Sequence, residues 1–470
     1  MKKENIKIIP SAWLEQTGRR LDCGPYLSGG LEAKILLNKL SVRKDPLHSL
    51  TAKGSHGIFH AGREGRTWVE DPAFGVPFLS SSDVLQADLS SAPLLSRRIV
   101  SRNPLFLIRP RWTLITRSGT VGRMLYSRTD MDGFACSEHV LRVVPDESKI
   151  PAGYLYSFLA SRYGLPIVVG GTYGSIIQHI EPAHVAELPV PRFGDPTESE
   201  AHRLVQEAER LRCEYQRQIC EATDLLFASV GLKDIAPADW HADDPDVGFT
   251  RKLPTAASLR ALNFNPRFQH LSDRICSRPH RRLVELCKPG TLRRGGRYKR
   301  IDADPEYAYQ LIGQKEIFWL RPEGRWIAKR SVGEDVLVEP GTTLVAAQGT
   351  LGESELYCRS EFVWGPLVER AYSEHLLRVI SDEVLMPRGC LFAFMRSESA
   401  FRLLRSTSMG TKLQDHHPTF LRQLPVPYPE KKIQDEIHNL VVDAYEKRHR
   451  SVAVEDEATS LIERAVEEGR

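Results

Sequence analysis

Two long segments of the chain alternate apolar and polar residues with the period of an α-helix. Residues 197–230 contain no Gly or Pro, and apolar side chains recur there at steps of three and four; the spacing returns after residue 430. A long helix with one apolar stripe must bury it, so we predict that 193–232 and 429–470 pair as an antiparallel coiled coil. The residues predicted to pack between the helices are Leu204, Ala208, Leu211, Tyr215, Ile219, Ala222, Ile433, Ile437, Leu440 and Ala444.

The segments that precede the two helices have a different pattern, typical of mixed strand and helix structure. Predicted strands lie at 107–108, 112–115, 139–144, 337–338 and 343–345, and predicted short helices at 153–159 and 391–395. Tight glycine-containing turns follow at 118–122 and 348–352. The sequence therefore predicts an α/β (α+β) fold class, with mixed domains at 1–192 and 233–428, called here the first and second heads, each followed by a long helix.

The two heads are copies of one another. Residues 137–191 and 373–427 align without a gap at an offset of 236, with 20 identities over 55 positions. Both copies begin with Ser-Glu-His and end with Leu-Pro-Val-Pro, and the two glycine-containing turns match at an offset of 230. A period this long is not a solenoid repeat. It indicates two whole domains that do the same work on different targets.

Composition adds one local feature to this picture. The net charge is only +4, and 41% hydrophobic with 26% charged residues is ordinary for a globular protein. Residues 267–300, however, hold eleven Lys or Arg against two acids, with no equally basic counterpart in the first head. Such a segment suits a surface that contacts phosphates, although a solvated surface explains it equally well.

Cysteine usage and the amino-terminal sequence exclude several classes of protein. No cysteine pair has the C-x-x-C spacing that a structural zinc site requires, so no metal site is predicted. Cys213 and Cys220 would share one helix face, as core rather than as a disulfide. The first residues lack the apolar core of a signal peptide, and no run approaches 18 apolar residues. We expect a cytoplasmic protein.

In its order of elements the chain resembles the specificity subunits of Type I restriction-modification systems. The resemblance covers nearly the whole chain. It rests on the duplicated layout of head and long helix, the Gly-Thr-x-Gly turns at 119–122 and 349–352, the Gly174 and Gly410 segments, and the Leu-Pro-Val-Pro exits into charged helices. Each motif alone is weak, whereas their order, duplication and spacing together are specific.

The resemblance implies a non-catalytic DNA reader that serves in phage defence. Each head would be a target recognition domain that reads one half of a bipartite, asymmetric site on double-stranded DNA. The paired helices would fix the gap between the half-sites, relate the heads by a pseudo-two-fold axis and dock two modification (methyltransferase) subunits. Those subunits would bind S-adenosylmethionine and methylate adenine, and a restriction motor-nuclease subunit would complete the complex. No cofactor is expected on this chain itself.

Catalytic interpretations of individual motifs are weaker than structural ones. The pairs Asn103-Pro104 and Asp71-Pro72 lack the second proline of an adenine methyltransferase loop, and we interpret both as turns. The acidic run at 145–149 is contiguous, whereas nuclease ligands come from separate strands around one ion. The glycines at 170–174 are not followed by the Lys-Ser/Thr of a phosphate loop.

Two histidine motifs are likewise interpreted as structural. The pair at 416–417 aligns with Ile180 and Glu181, so a duplicated metal site is not supported. Glu138 and His139 are predicted to lie on a strand, where adjacent side chains point to opposite faces and cannot converge on one substrate.

Candidate DNA contacts are Gln, Arg and hydroxyl side chains near the glycine-containing turns, together with the basic segment. In the first head they are Arg117, Ser118, Thr120, Arg123, Thr172, Tyr173, Ser175 and Gln178. In the second head they are Arg293, Arg294, Arg297, Tyr298, Lys299, Gln348, Thr350, Ser408, Thr411, Lys412 and Gln414. For the turn residues that match between heads, a purely structural role is as well supported as DNA contact. Two other functions stay open: a reader in another methylation-associated defence system, or a helical scaffold that does not bind DNA.

Overall fold

The computed structural model of the protein describes residues 7–16, 19, 23–170, 179–242, 248–250 and 257–469. The chain divides into two compact units, Met1–Cys213 with Arg450–Arg470 and Glu214–His449. Each unit therefore combines one head with part of both long helices. The domain boundaries predicted from sequence, which separate heads from helices, stay a prediction.

The first head consists of short strands and short helices. Its strands are Lys44–Pro46, Ile58–Phe59, Trp68–Val69, Gly75–Leu79, Leu94–Ser96, Thr113–Thr116, Met124–Tyr126, Ala135–Cys136, Val140–Val143 and Pro189–Pro191. Its helices are Ser11–Gln16, Gly24–Leu27, Gly30–Lys39, Arg97–Arg102, Ala152–Ala160, Gly164–Gly170 and Pro182–Ala186.

The second unit contains an equivalent set of elements. Its strands are His280–Arg282, Arg293–Arg294, Ala308–Ile312, Arg325–Ala328, Thr343–Ala346, Ser360–Phe362, Ala371–Tyr372, Leu376–Val379, Ser408–Met409, Asp415–His416 and Pro425–Pro427. Its short helices are Pro237–Ala242, Pro266–Cys276, Leu283–Leu286, Arg388–Met395, Glu398–Ser406 and Pro418–Arg422.

The duplication seen in the sequence is also a duplication of sheet topology. Each head has a four-stranded antiparallel sheet, called here the large sheet. In the first head its spatial order is Ile58–Phe59, Val140–Val143, Thr113–Thr116 and Met124–Tyr126. In the second head the order is Arg293–Arg294, Leu376–Val379, Thr343–Ala346 and Ser360–Phe362. The central pairs share one register, since Thr113 faces Val143 as Thr343 faces Val379. A second sheet in each head contains one parallel pair.

Most local predictions for the heads are confirmed, but two strands are wrong. The predicted strands at 112–115, 139–144 and 343–345 and both short helices are present within a few residues. Residues 107–108 and 337–338 form no strand; Leu107 makes only an isolated bridge to Ala135. Ile108 and Val338 are nevertheless buried, with 0% and 8% exposure. Their hydrophobicity reflects irregular chain packed in a core rather than strand structure.

The two long helices run from Asp195–Ser229 and Lys431–Glu468 and are called here the central and the C-terminal helix. The central helix ends because Gly231 adopts a left-handed conformation, with φ of +71°, and closes the last turn through its N–H to the Ala228 carbonyl. Within the second unit, Tyr215 packs edge-on against Tyr445 at 5.5 Å between ring centroids, and Gln218 donates to Asp443 at 2.5 Å. Residue numbers rise on one helix as they fall on the other.

The same antiparallel pairing occurs in the first unit, where Leu204 and Ala458 share a buried cluster. The fold class, mixed α/β heads with long helices that pair antiparallel, is therefore confirmed. The expected pseudo-two-fold relation between the heads stays a prediction. Of the predicted packing residues, Ile433 and Leu440 are half-buried, and those that are buried are Leu204, Ala208, Leu211, Tyr215, Ile219, Ala222, Ile437 and Ala444.

The apolar core of the first unit includes the end of the C-terminal helix. Ile462 and Val466 are fully buried against Leu155 and Leu159 of the helix Ala152–Ala160. The C-terminal helix thus packs on the first head as well as on the central helix.

A histidine fastens each long helix to the head that precedes it. The Gly153 N–H donates to His202 Nδ1 at 3.0 Å, and the Gly389 N–H donates to His438 Nδ1 at 3.0 Å. Both pairs lie at the offset of 236, and in each the glycine lets the helices approach closely, because a Cβ would lie within 3.0 Å of the histidine. Burial lowers the pKa of both histidines, which keeps Nδ1 free to accept.

A buried arginine occupies equivalent positions of the two long helices, with different partners. In the first unit Arg212 Nη1 pairs with Glu455 Oε1 at 2.8 Å, and Tyr156 of the head donates to the same carboxylate at 2.9 Å. In the second unit Arg448 Nη1 pairs with Glu361 Oε1 of the head at 3.0 Å. Arg448 Nη2 also donates to the Trp319 carbonyl at 2.7 Å. We call these two arrangements the buried arginine networks.

None of the described helices is long and apolar enough to cross a membrane. All eight cysteines are free thiols.

Candidate nucleic-acid interface

The basic segment 267–300 is only partly available on the surface of the second unit. Arg267 lies over the Trp240 ring at 4.2 Å from its centroid, and Arg282 pairs with Glu285 at 2.5 Å. These two arginines therefore serve the fold. Members of the segment that are exposed and have no acidic partner among the described residues include Arg278, Arg281, Arg293, Arg297 and Lys299.

Two other candidates in this segment are engaged within the head. Arg294 pairs with Asp415 at 2.9 Å, and both side chains are about one-third exposed. Tyr298 is half-buried with its hydroxyl 3.5 Å from the Tyr372 carbonyl, and burial raises its pKa to about 12. Arg293, Arg297 and Lys299 are thus the more accessible part of the predicted set.

In the first head the structure places the candidate residues of the glycine-containing turn unequally. Arg117 is buried: its guanidinium donates to the Ile180 carbonyl at 2.8 Å and pairs with Glu181. Ser118 is buried too, and its Oγ lies 2.6 Å from His139 Nδ1. Thr120 is half-buried and Arg123 is exposed. The remaining candidates of this head, Thr172, Tyr173, Ser175 and Gln178, lie outside the described residues.

The second head divides its candidates in a similar way. Ser408 is fully buried, 3.0 Å from the Tyr357 hydroxyl, and Gln414 accepts from Arg260 Nη1 at 2.6 Å inside the head. Gln348 is half-buried. Its backbone N–H and carbonyl are held by the amide of Gln314. The exposed candidates are Thr350, Thr411 and Lys412.

The Ser-Glu-His triplets form a turn, and the prediction that Glu138 and His139 lie on a strand was wrong. The strand begins at Val140, because 138–139 turn the chain into the large sheet. The two side chains therefore converge, with Glu138 Oε1 3.5 Å from His139 Nε2. Glu374 and His375 repeat the arrangement at 3.7 Å.

Sequence reasoning missed the arginine that completes each of these turns. Arg66 Nη2 binds Glu138 Oε2 at 2.8 Å, and Arg300 Nη2 binds Glu374 Oε2 at 2.7 Å. The equivalence follows from the edge strands of the large sheets, where Phe59 faces Arg142 as Arg293 faces Arg378. We call each arginine, glutamate and histidine together the corner of its head.

The sequence did carry a signal for the corners. It is a Gly-Arg-x-x-Arg motif at 62–66 and 296–300, at an offset of 234 rather than 236 or 230. The motif shows that part of the basic segment has a counterpart in the first head.

Within each corner the charges of the arginine and the glutamate balance. Burial opposes ionisation of Glu138 and Glu374, yet hydrogen bonds from the backbone and from the corner arginine outweigh it, so the pKa of each carboxyl lies below its ordinary value. Burial lowers the pKa of His139, which is therefore neutral at pH 7. Each glutamate is thus neutralised by its own arginine, and any further arginine beside the corner adds net positive charge.

Next to the corners the two heads differ in chemistry at one equivalent place. In the first head His60 Nε2 lies 3.5 Å from Glu181 Oε2, and burial together with Arg117 lowers the pKa of His60. In the second head Arg294 stands at the position equivalent to His60, and it pairs with Asp415, which aligns with His179 rather than with Glu181. The corner and the large sheet beside it are therefore shared by the two heads, whereas the side chain at the end of the edge strand, His60 or Arg294, differs.

The structure places three of the rejected catalytic motifs in turns, as predicted, whereas residues 171–174 of the glycine motif lie outside the described residues. Asn103 Oδ1 accepts from the Leu105 N–H, and Asp71 Oδ1 accepts from the Ala73 N–H at 2.8 Å. Asp146 pairs with Lys149 at 2.9 Å in the acidic run.

His416 and His417 likewise take part in the fold. His416 is a core residue stacked on Tyr357 at 5.1 Å between ring centroids, and His417 Nε2 lies 3.1 Å from the Ala257 carbonyl. Across the described ranges no group of His, Cys, Asp and Glu has an arrangement that could hold a metal ion.

Comparison with known proteins gives likenesses at the level of structure only. No family model and no curated protein matches the chain. Among solved structures, the chain is similar to the S subunit of a Type I restriction-modification system from M. genitalium, with 11% identity and a TM-score of 0.34. That match covers 92% of this chain and 96% of the other.

Two further structures give similar values. The HsdS subunit from Thermoanaerobacter tengcongensis matches with 12% identity and a TM-score of 0.27, covering 91% of this chain and 96% of that one. A chain from a structure of "complex assembly and conformational transition of the type I R-M system" matches with 13% identity and a TM-score of 0.27, covering 91% and 98%. All three of these structures come from Type I restriction-modification systems or their HsdS subunits.

Proposed function

We propose that this chain is the DNA-reading specificity subunit of a Type I restriction-modification complex. Each head reads one half of a bipartite, asymmetric site on double-stranded DNA. The chain itself carries no catalytic centre, and it directs adenine methylation and restriction by partner subunits.

The observation that carries the proposal is the duplicated corner within a duplicated sheet. Each head holds an arginine, a glutamate and a histidine in the same geometry, with exposed arginines close by in sequence. Exposed arginines at equivalent places of both heads suit contact with the DNA backbone. Side chains that differ between the heads suit the reading of different bases. The pairs His60–Glu181 and Arg294–Asp415 supply such a difference.

The proposed role as a specificity subunit also implies which protein subunits bind this chain. Two modification subunits dock on the paired helices, bind S-adenosylmethionine and transfer its methyl group to adenine, and a motor-nuclease subunit cuts unmethylated DNA. The polar, exposed positions of the central and C-terminal helices face away from the buried stripe and are the surface on which such subunits can dock.

The test is expression of the full chain together with its modification subunit, followed by genome-wide mapping of N6-methyladenine. We expect a split, asymmetric methylated motif that disappears when this chain is omitted. Exchange of one head for that of a relative should change one half of the motif only. A stable complex without any new methylation contradicts the proposal and favours a defence system with another output.

Binding of DNA separates the proposal from a helical scaffold. A reader makes phosphate contacts and releases counterions, so its affinity for DNA falls steeply with salt concentration. A chain with no salt-dependent affinity for duplex DNA, alone and in the complex, is a scaffold.

A further inference from the structure

Three residues before each corner arginine is an exposed arginine that makes no side-chain hydrogen bond or ion pair with any other described residue. Arg63 and Arg297 occupy the second position of the Gly-Arg-x-x-Arg motifs, and both are exposed. Within the described part of the chain neither guanidinium has a hydrogen-bond or ion-pair partner. The acidic neighbour Glu64 is already paired with Arg102 at 3.2 Å.

The fold fixes these two arginines in equivalent places. In the first head the edge strand of the large sheet ends at Phe59, and the chain is next held where Arg66 binds Glu138. In the second head the edge strand ends at Arg294, and the chain is next held where Arg300 binds Glu374. Only a short segment lies between the two attachment points in either head. The position of each exposed arginine relative to its corner is therefore set by the same two contacts.

Some residues of these segments are the same in both heads and others differ, which indicates two different roles in DNA binding. The arginine at 63 and 297 is common to both heads, whereas the next two residues are Glu64 and Gly65 in one and Tyr298 and Lys299 in the other. Contacts to the DNA backbone carry no sequence information and can be common to two readers of different sequences. Contacts to base edges must differ between them.

We propose that Arg63 and Arg297 are equivalent phosphate contacts, one in each head, that position the head on its half-site without reading its sequence. This rests on the proposed function. Arg66 and Arg300 act as positioning residues, because they neutralise the corner glutamates and so remove a negative charge that would repel the phosphate. The exposed residues that differ between the segments, Lys299 among them, are left to contribute to sequence preference.

The experiment measures the affinity of the full chain for fluorescent DNA duplexes of several different sequences, over a range of salt concentrations. Arg63→Gln and Arg297→Gln should each weaken binding several-fold and reduce the slope of log K against log salt by about 1, as expected for one lost phosphate contact. Arg63→Lys and Arg297→Lys should keep most of the affinity, because a lysine also binds phosphate as a point charge. Arg98→Gln and Arg330→Gln, which remove an exposed arginine elsewhere in each unit, should leave the slope unchanged.

Each outcome decides between clear alternatives. Binding unchanged in Arg63→Gln and Arg297→Gln, while the unmodified chain binds in a salt-dependent manner, overturns the inference and leaves the proposed function intact. Equal losses in the Lys and Gln variants, confined to particular sequences, indicate bidentate base reading and also overturn it. If the unmodified chain has no salt-dependent affinity for DNA, both proposals fail. In the assembled complex, the Gln variants should lower the level of methylation without altering the methylated motif.

Discussion

The two buried arginine networks occupy the same position of the repeat and yet connect different parts of the molecule. Arg212 binds Glu455 of the C-terminal helix, so in the first unit the charge pair joins helix to helix. Arg448 binds Glu361 of the second head, so in the second unit it joins helix to head. The Gly153–His202 and Gly389–His438 contacts, by contrast, are the same in both units.

This difference shows which contacts duplication can preserve. A contact between two residues of one repeat, such as glycine and histidine at the helix–head joint, is copied together with the repeat. A contact to a residue that has no equivalent partner must be built anew in each copy. The two heads are therefore not interchangeable on their helices, even though their sheets share one register.

The largest effect is expected from Glu361→Gln. The substitution removes the carboxylate that pairs with Arg448, which is only 1% exposed, and loss of one partner of a buried ion pair costs about 3–5 kcal/mol. Urea denaturation followed by hydrogen exchange should show the loss in the second unit. Glu455→Gln should instead destabilise the first unit. The exposed Glu369→Gln serves as control, and an equal effect of that control would show that the networks are not special.

Acid should destabilise the second unit more than the first. Burial lowers the pKa of His416 and of His449 to about 4, whereas the equivalent residues of the first unit are Ile180 and Cys213. Since the folded pKa lies below the unfolded value of 6.5, the unfolded chain takes up protons first. Stability is complete above pH 6.5 and is lost as the pH falls towards 4, by about 3 kcal/mol for each histidine.

The variant His416→Ile tests this difference. It should reduce the loss of stability of the second unit between pH 6.5 and 4 in pH-dependent unfolding experiments. The exposed His280→Gln is the matched control and should leave the pH dependence as it is. Equal acid sensitivity of the two units in the unmodified chain would contradict the prediction.

The glycine–histidine joints should respond equally in the two units. Alanine at position 153 would place its Cβ 2.8 Å from the His202 Cα, and alanine at 389 would place it 3.0 Å from the His438 Cα. The backbone must shift in either case, so Gly153→Ala and Gly389→Ala should each cost about 1–3 kcal/mol. Gly65→Ala, where a Cβ meets nothing within 4 Å, should be close to neutral. A large difference between the two joints in thermal unfolding would argue against equivalent roles.

The smallest effect is expected from the corner ion pairs. Arg66→Gln and Arg300→Gln remove pairs whose arginines are 29% and 37% exposed, and such pairs contribute about 0.2–1 kcal/mol. Arg109→Gln, whose pair with Asp132 is more exposed still, should cost less. A loss of several kcal/mol would mean that the corners are needed for folding rather than for DNA binding.

The sequence predicted the elements whose signal is local. The steps of three and four residues indicated both long helices, and β-branched runs indicated the central strands of the large sheets. Duplication was evident because 137–191 and 373–427 keep one frame. At 62–66 and 296–300 the offset between the copies is 234 instead of 236, and the equivalence of the corner arginines was therefore not predicted.

The sequence could not predict which polar side chains the fold uses internally. By its position next to a glycine-containing turn Arg117 is predicted to be exposed, yet it is held by Glu181, 64 residues further along the chain. In the same way, Ser408 is hydrogen-bonded to Tyr357, and Gln414 accepts a hydrogen bond from Arg260. Such pairings depend on the folded path of the chain, and neither spacing nor hydropathy encodes them.

The burial of Ile462 and Val466 in the first head has a consequence for the order of folding during synthesis. The first unit is discontinuous in sequence, since it needs both Met1–Cys213 and Arg450–Arg470, whereas Glu214–His449 is continuous. Domains commonly fold in the order in which the ribosome releases them. Here the second unit can complete its core while the first still waits for its last helical turns, so the part of the protein that is made first is the last to be finished.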